Sequence, residues 1–452
     1  MLFPTVAQRT PEGALRNSKG DSRYAARSRY ESIDNPEALV MAVAGQNDEV
    51  TIEVPTREDW EDIYAMFSAG INIDGDPQSL EAERPLFEPE RSLIVRAGDR
   101  VVGTLGANTR QIAVPGAVVP AAHGCRGAVS ATVRRQGILT RLMRRHFEDA
   151  RALGEPITLC WASEGRIYGR FGYGLAVRRL GLNVNAREVT VPKGEEPGRI
   201  VAGTVADLRD ALVKVYDQVY ADRPGWSERT AEHWDYRLSD HMAARQGASA
   251  LRVVVHEGDD GIDGYALWRV RGNWTANGPI GDVVVVEQVS TTPEAYRALW
   301  RFLLSVDLTR SASTWAVGVD EPLFHWVGEP RQLDAHLCDA LWIRVVDVPK
   351  ALAARRYATS IDVVIEVTDE FMPENSGTYR LTGSPESATC TPTSEQPELW
   401  LDVRALGAVY MGGTSLSALV QTGQVKEVRP GALAAASTAF RWHTSPYAFE
   451  LF

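Results

Sequence analysis

Residues 127–174 read GAVSATVRRQGILTRLMRRHFEDARALGEPITLCWASEGRIYGRFGYG, and the architecture follows from them. Gly127–Val133 reads as a strand. Arg134-Arg135-Gln136-Gly137 comes next, and then an amphipathic helix. On that helix Ile138, Leu139, Leu142, Met143, Phe147 and Ala150 recur at helical spacing, with Arg141, Arg144, Arg145, Glu148 and Asp149 on the other side. Gly154 and Pro156 end it. The apolar run Ile157–Ala162 reads as a buried strand, and glycines punctuate the chain from Ser163 onward.

A strand that feeds a helix through a short basic turn is an anion cradle. The first N–H groups of a helix have no partner within it, and the helix dipole adds partial positive charge there. Gly137 lets backbone approach a ligand closely, and Arg134 and Arg135 can make charge-assisted bonds to phosphate oxygens. No Gly-Lys-Ser/Thr follows, so this is not a Walker loop, and G-x-G-x-x-G is missing, so it is not a dinucleotide fingerprint. Over R-x-x-G alone, a solvated basic turn capping an ordinary helix reads equally well.

The segment ASEGRIYGRFGYG (Ala162–Gly174), taken with Val129, resembles the Eis family of actinobacterial GNAT N-acetyltransferases. Arg134 and Gly137 meet the GNAT pattern R/Q-x-x-G-x-G/A, whereas Leu139 stands where a small residue is usual. The resemblance implies an acetyl-CoA co-substrate and no metal. It puts Gly127, Ala128 and Val129 beside the pantetheine and acetyl carbonyl, and Arg134, Arg135, Gln136, Gly137 and Ile138 at the pyrophosphate. Ser163 then lies near the sulfur, and Tyr168 is the acid that protonates the coenzyme A thiolate, with Tyr173 packing behind it. The base is the α-carboxylate of the last residue, Phe452. Tails of this family tend to end in a shorter AFEF-like form, whereas YAFELF inserts Leu451 after Glu450.

A chain of 452 residues exceeds one hydrophobic core. Net charge is −11, which disfavours nucleic acid and anionic membranes as partners and suits a cationic substrate. No apolar run is long enough to span a bilayer, and the N-terminus has no signal-peptide pattern, so a cytoplasmic protein is expected. Four cysteines without C-x-x-C argue against disulfide scaffolding and structural zinc.

In chain order, residues 1–48 read as an N-terminal extension without periodicity. Residues 49–180 hold strand, helix, hairpin, strand, helix and strand. The loop Asn72–Glu90 is acidic: it is either simply solvated or a rim, with Asp74 and Asp76, that attracts amines together with Glu450. Residues 181–345 repeat the element order, but Ser290-Thr291-Thr292-Pro293 stands as an N-cap where the basic glycine turn would be, so this copy cannot hold pyrophosphate the same way. Residues 346–452 give strands and then helices, an α+β arrangement. By resemblance these are tandem α/β GNAT domains and a sterol-carrier-protein-like domain, assembled as a homohexamer. The activity implied is acetyl transfer to primary amines of polycationic small molecules such as aminoglycosides. The alternatives are a protein Nε-lysine acetyltransferase and a non-catalytic acyl-CoA or lipid-binding protein.

Overall fold

Among the described residues, two seven-stranded mixed sheets, one five-stranded sheet and a two-stranded ribbon, Trp274–Thr275 with Gly278–Pro279, build the fold. The computed structural model describes residues 51–194 and 197–452, so the extension expected over residues 1–48 lies outside the described residues. The first sheet runs in the order Ile52–Glu53, Leu93–Ala97, Arg100–Val114, Ala117–Val129, Ile157–Trp161, Leu341–Val345, Gly174–Leu175. Ala117–Val129 and Ile157–Trp161 are parallel, and the other neighbours are antiparallel. The helix between the parallel pair, Ile138–Ala152, buries Ile138, Leu142, Met143, His146, Phe147 and Ala150. This is the stripe read from the sequence, with His146 added and Leu139 only partly covered.

Two local expectations change. The strand expected to run to Val133 stops at Val129, and Ala131–Val133 form a 3-10 turn. The loop expected over Asn72–Glu90 contains the helix Pro77–Glu83, with Asp76 as its N-cap and Pro77 at its first position.

The second sheet runs His336–Asp339, Arg178–Asn185, Thr309–Val317, Gly281–Ser290, Gly261–Arg271, Arg252–Gly258, Arg199–Gly203. Its hairpin Arg252–Arg271 and its parallel pair Gly281–Ser290 and Thr309–Val317, joined by the helix Pro293–Leu304, repeat the first unit. Thr292 caps that helix by accepting the Ala295 N–H.

One strand crosses from the second unit to the first sheet. Leu341–Val345 follows the second unit in sequence, yet it pairs in the first sheet, with Ile343 opposite both Leu159 and Gly174. Leu341, Ile343 and Val345 are fully buried, and an apolar strand of this kind belongs in a sheet interior, hydrogen-bonded on both edges.

The third sheet runs Ala388–Pro392, Gly377–Gly383, Ile361–Thr368, Leu399–Asp402, Val425–Glu427. Its core is continuous with the first sheet: Ile112, Leu159 and Ile343 belong to the same cluster as Val363, Leu399 and Phe440. The contact is backbone on backbone. A side chain at Gly174 would overlap the Arg404 carbonyl and the Ala408 nitrogen, and one at Gly407 would overlap the Ile343 carbonyl. Among the described residues no helix is long and apolar enough to cross a membrane.

Candidate active site

The parallel pair parts partway along. Pairing between Ala117–Val129 and Ile157–Trp161 runs from Ala121–Ile157 to Gly124–Cys160 and stops there. Just beyond, Arg126 takes a positive φ of 50° and the register against Arg100–Val114 shifts, which marks a bulge that bends the strand. The Arg126 guanidinium is buried over the Trp60 ring and bonded to Glu83 at 3.4 Å, so the bend is held from behind. The Ser130 N–H still reaches Val102 O at 2.8 Å. Peptide groups of a strand alternate sides, so Val129 turns its N–H and C=O toward the opening. Gly127, Ala128 and Val129 therefore line one wall of a wedge.

At the mouth of the wedge lies the turn Arg134–Gly137. All four residues are exposed. Gly137 caps Ile138–Ala152 with φ 79° and no side chain closes that cap, so the first N–H groups of the helix stay open. Nothing lies within 4 Å of where a Cβ would sit on Gly137. This exposed cradle fits a diphosphate. Ile138 is buried against the sheet near Gly103 and fixes the helix start. Arg135, at φ 66°, extends outward, and Gln136 is exposed beside it. Arg134 departs from the expectation: its Nε donates to Val129 O at 3.1 Å and a terminal nitrogen to Gly70 O at 3.0 Å. It braces the turn against the strand end, leaving Arg135 and the helix N-terminus as the outward-facing donors.

The other wall carries the tyrosine. Gly165–Tyr168 is one helical turn after Trp161, and Tyr168 meets Tyr173 edge-on with ring centroids 5.7 Å apart. Burial pushes the Tyr168 phenol well above its ordinary value, the nearby Cys160 adds to this, and a bond to the Ser163 hydroxyl works the other way. The phenol therefore keeps its proton throughout the working pH range. Tyr173 is buried, with its hydroxyl 2.9 Å from Thr158 Oγ1. Beneath them, Gly172 at φ 85° lies against the Arg344 guanidinium. Asp369 of the third domain holds Arg344 at 2.6 Å, and Phe371 packs on Phe147 and Phe171. The tyrosine turn thus rests on the third domain.

The tail reaches the same wedge from the far side. Tyr447 and Phe449 pack with Trp226 and Tyr216 of the second domain. The Trp161 indole then donates to Glu450 O at 2.8 Å, and the Phe452 ring meets His123 edge-on at 4.8 Å. His123 pairs across from Leu159, one residue before the parting point. Its Nδ1 is 3.0 Å from Ala121 O and its Nε2 2.8 Å from Ser227 Oγ. Burial, aided by the Arg110 charge, holds its imidazole well below the usual value, so it is neutral.

Two predicted amine ligands take other roles. Glu450 turns inward: Arg110 donates to one oxygen at 2.9 Å and Arg229 to the other at 3.2 Å. Burial raises its pKa, but those two guanidiniums outweigh it and hold the carboxylate down at about 2. With each oxygen accepting from an arginine, Glu450 anchors the tail. Asp76 accepts from Ser79 N at 2.7 Å and Ser79 Oγ at 2.8 Å, so it is a helix cap. Asp74 is exposed beside it. Sequence reading missed Arg110, His123, Trp161, Arg229 and Glu287. They lie on five separate segments and share no spacing; the one available signal was the oddity of Arg110, His123 and Glu287 in otherwise apolar strands.

Comparison with known proteins identifies the domains. Acetyltransferase (GNAT) domains match residues 51–176 and 225–345, and a sterol carrier protein domain matches 348–448. An uncharacterized N-acetyltransferase of Streptomyces avermitilis is 40% identical over 401 residues, covering 88% of this chain and 98% of that protein. The N-acetyltransferase Eis of Mycobacterium bovis is 31% identical over 395 residues, covering 83% of this chain and 93% of that protein. The crystal structure of Eis1 from Mycobacterium abscessus superposes with a TM-score of 0.76 at 30% identity, covering 89% of this chain and 100% of that one.

Proposed function

This chain belongs to the Eis family of GNAT N-acetyltransferases, and from that premise we propose that it acetylates primary amines of polycationic small molecules, aminoglycosides among them, from acetyl-CoA. The observation that carries the reading is convergence. An exposed diphosphate cradle, a protonated phenol at Tyr168 and the chain terminus at Phe452 all border one wedge where two parallel strands part.

Bound acetyl-CoA supplies an activated acetyl group on a thiolate leaving group. In the chain itself, the helix N-terminus after Gly137, with Arg135 beside it, binds and orients the diphosphate. The Val129 N–H, facing the opening, holds the pantetheine arm along the strand. The Tyr168 hydroxyl gives its proton to the departing sulfur. An acceptor ammonium near pKa 10 must lose a proton before it attacks, and the Phe452 α-carboxylate accepts it. That carboxylate is a weak base in water, with a pKa of about 3.3–3.7, and its own ring packs edge-on against His123. The chain's charge of −11 favours approach of a polycation.

The test is release of free thiol from acetyl-CoA in the presence of kanamycin or tobramycin. Tyr168→Phe should lower kcat by about 10²–10⁴ and leave KM for acetyl-CoA near wild type. An unchanged kcat in that variant would remove Tyr168 from the chemistry. Failure with every small amine, together with success on a protein, would reassign the acceptor to lysine side chains. The hexamer implied by the resemblance is read by sedimentation of the full chain.

A further inference from the structure

The second unit lacks a cradle, since Thr292 caps the helix that would have offered one. It contributes a buried array of charge instead. Glu287, on Gly281–Ser290, takes Arg229 through two parallel bonds of 2.9 and 2.8 Å. Arg237 reaches the same carboxylate at 2.5 Å, and the Tyr265 hydroxyl donates to it as well. Both oxygens of Glu287 are therefore occupied, and Arg229 is fixed in plane. Its guanidinium lies 4.0 Å from the Tyr216 ring centroid and 4.6 Å from that of Trp234, so it is clamped on its faces too. The one nitrogen of Arg229 outside the bidentate pair, Nε, points to Glu450. Arg110, from the first sheet, takes the other Glu450 oxygen and is itself held by the Glu228 carbonyl.

The array runs Tyr265, Glu287, Arg229, Glu450, Arg110, from the core of the second unit to the third residue from the chain end. A bidentate guanidinium–carboxylate pair fixes direction as well as distance. Buried charges of this kind hold one arrangement, because any other leaves a charge unpaired.

We infer that Glu287 and Arg229 are positioning residues for the reaction: the second GNAT unit, without a coenzyme cradle, acts as the clamp that sets Phe452 in the wedge. This rests on the assignment of the Phe452 carboxylate as base, and the experiment separates the two claims. In full-length protein, Glu287→Gln removes the charge that orients Arg229. Glu450→Gln cuts the same link at the tail and disturbs the core less, which keeps the question open to test if the first variant folds poorly. Carboxypeptidase Y is added to native protein and loss of Phe452 is followed by mass spectrometry, a readout that needs no catalysis. Release in either folded variant should be at least about tenfold faster than in wild type, because cleavage follows the population of the released tail. Equal release rates would overturn the clamp. In the thiol-release assay, kcat should fall by about tenfold or more with KM for acetyl-CoA unchanged, and deleting Phe452 from the variant should add little. Losses that multiply would mean that Glu287 supports the fold generally, which also overturns the proposal. If deletion of Phe452 from wild type leaves turnover intact, the base assignment falls, and the carboxypeptidase result alone then decides whether the tail is clamped.

Discussion

Glu321 offers a quantitative test of how tightly the second domain is packed. It is only 3% exposed, and its partners are the Tyr296 hydroxyl, at 2.9 and 2.8 Å from its two oxygens, and the Leu323 N–H at 3.1 Å. Burial, reinforced by the charge of Asp320, pushes this carboxyl up from its ordinary 4.5 to about 7, although Tyr296, Leu323 and Arg223 all favour the ionised form. The folded state therefore holds its proton to higher pH than the unfolded chain does. The stability this provides is fully present below pH 4.5 and is lost as pH rises through about 7. One pKa unit is worth about 1.4 kcal/mol, so the loss comes to about 3 kcal/mol. Glu321→Gln keeps the size and the neutral form, and removes the titration. Chemical denaturation of both proteins from pH 5 to pH 8 isolates the effect, because all other groups cancel in the difference. The wild type should lose about 3 kcal/mol relative to the variant across that span. Parallel stability curves for the two proteins would refute the reasoning and show that Glu321 is already ionised or hydrated in the folded state.

Two further outcomes follow from the backbone. Gly174→Ala drives a methyl group into the Arg404 carbonyl, which belongs to another backbone and cannot rotate away, so it should cost about 3 kcal/mol and depress turnover through the adjacent tyrosine turn; an unchanged Tm would show that the contact is loose. Gly137→Ala meets no atom within 4 Å and incurs only the strain of φ 79°, about 1–2 kcal/mol, so KM for acetyl-CoA should rise several-fold with a small change in Tm, and a wild-type KM would take the diphosphate away from this turn.

Much of the fold was legible because hydrophobic period carries it. The stripe from Ile138 to Ala150 and the duplicated hairpin, strand and helix were read directly, and the apolar run at Ile157 is an interior strand. The destination of Leu341–Val345 was not legible, because a short run of four apolar residues around Arg344 states that it is buried but not in which sheet. At the site, the exposed turn Arg134–Gly137 was readable from composition, and the tyrosine segment from resemblance. The bracing bonds of Arg134 were not legible, because a basic side chain next to a glycine turn can brace backbone carbonyls as readily as face an anion. The ion pairs of Glu450 were not legible for a related reason. Its partners, Arg110 and Arg229, are hundreds of positions away in sequence, and local pattern holds no record of such pairs.

The crossing strand also bears on how the protein is made. During synthesis the first sheet has an interior gap between Ile157–Trp161 and Gly174–Leu175 until Leu341–Val345 leaves the ribosome. Two bare edges therefore wait while the whole second sheet emerges, and bare edges invite pairing with other nascent chains. A gene fragment ending near residue 176 would encode every group of the coenzyme cradle and still yield no finished sheet. The order of translation thus makes the amino-terminal half dependent on a segment born last but one, ahead only of the domain whose final residue is placed in the wedge.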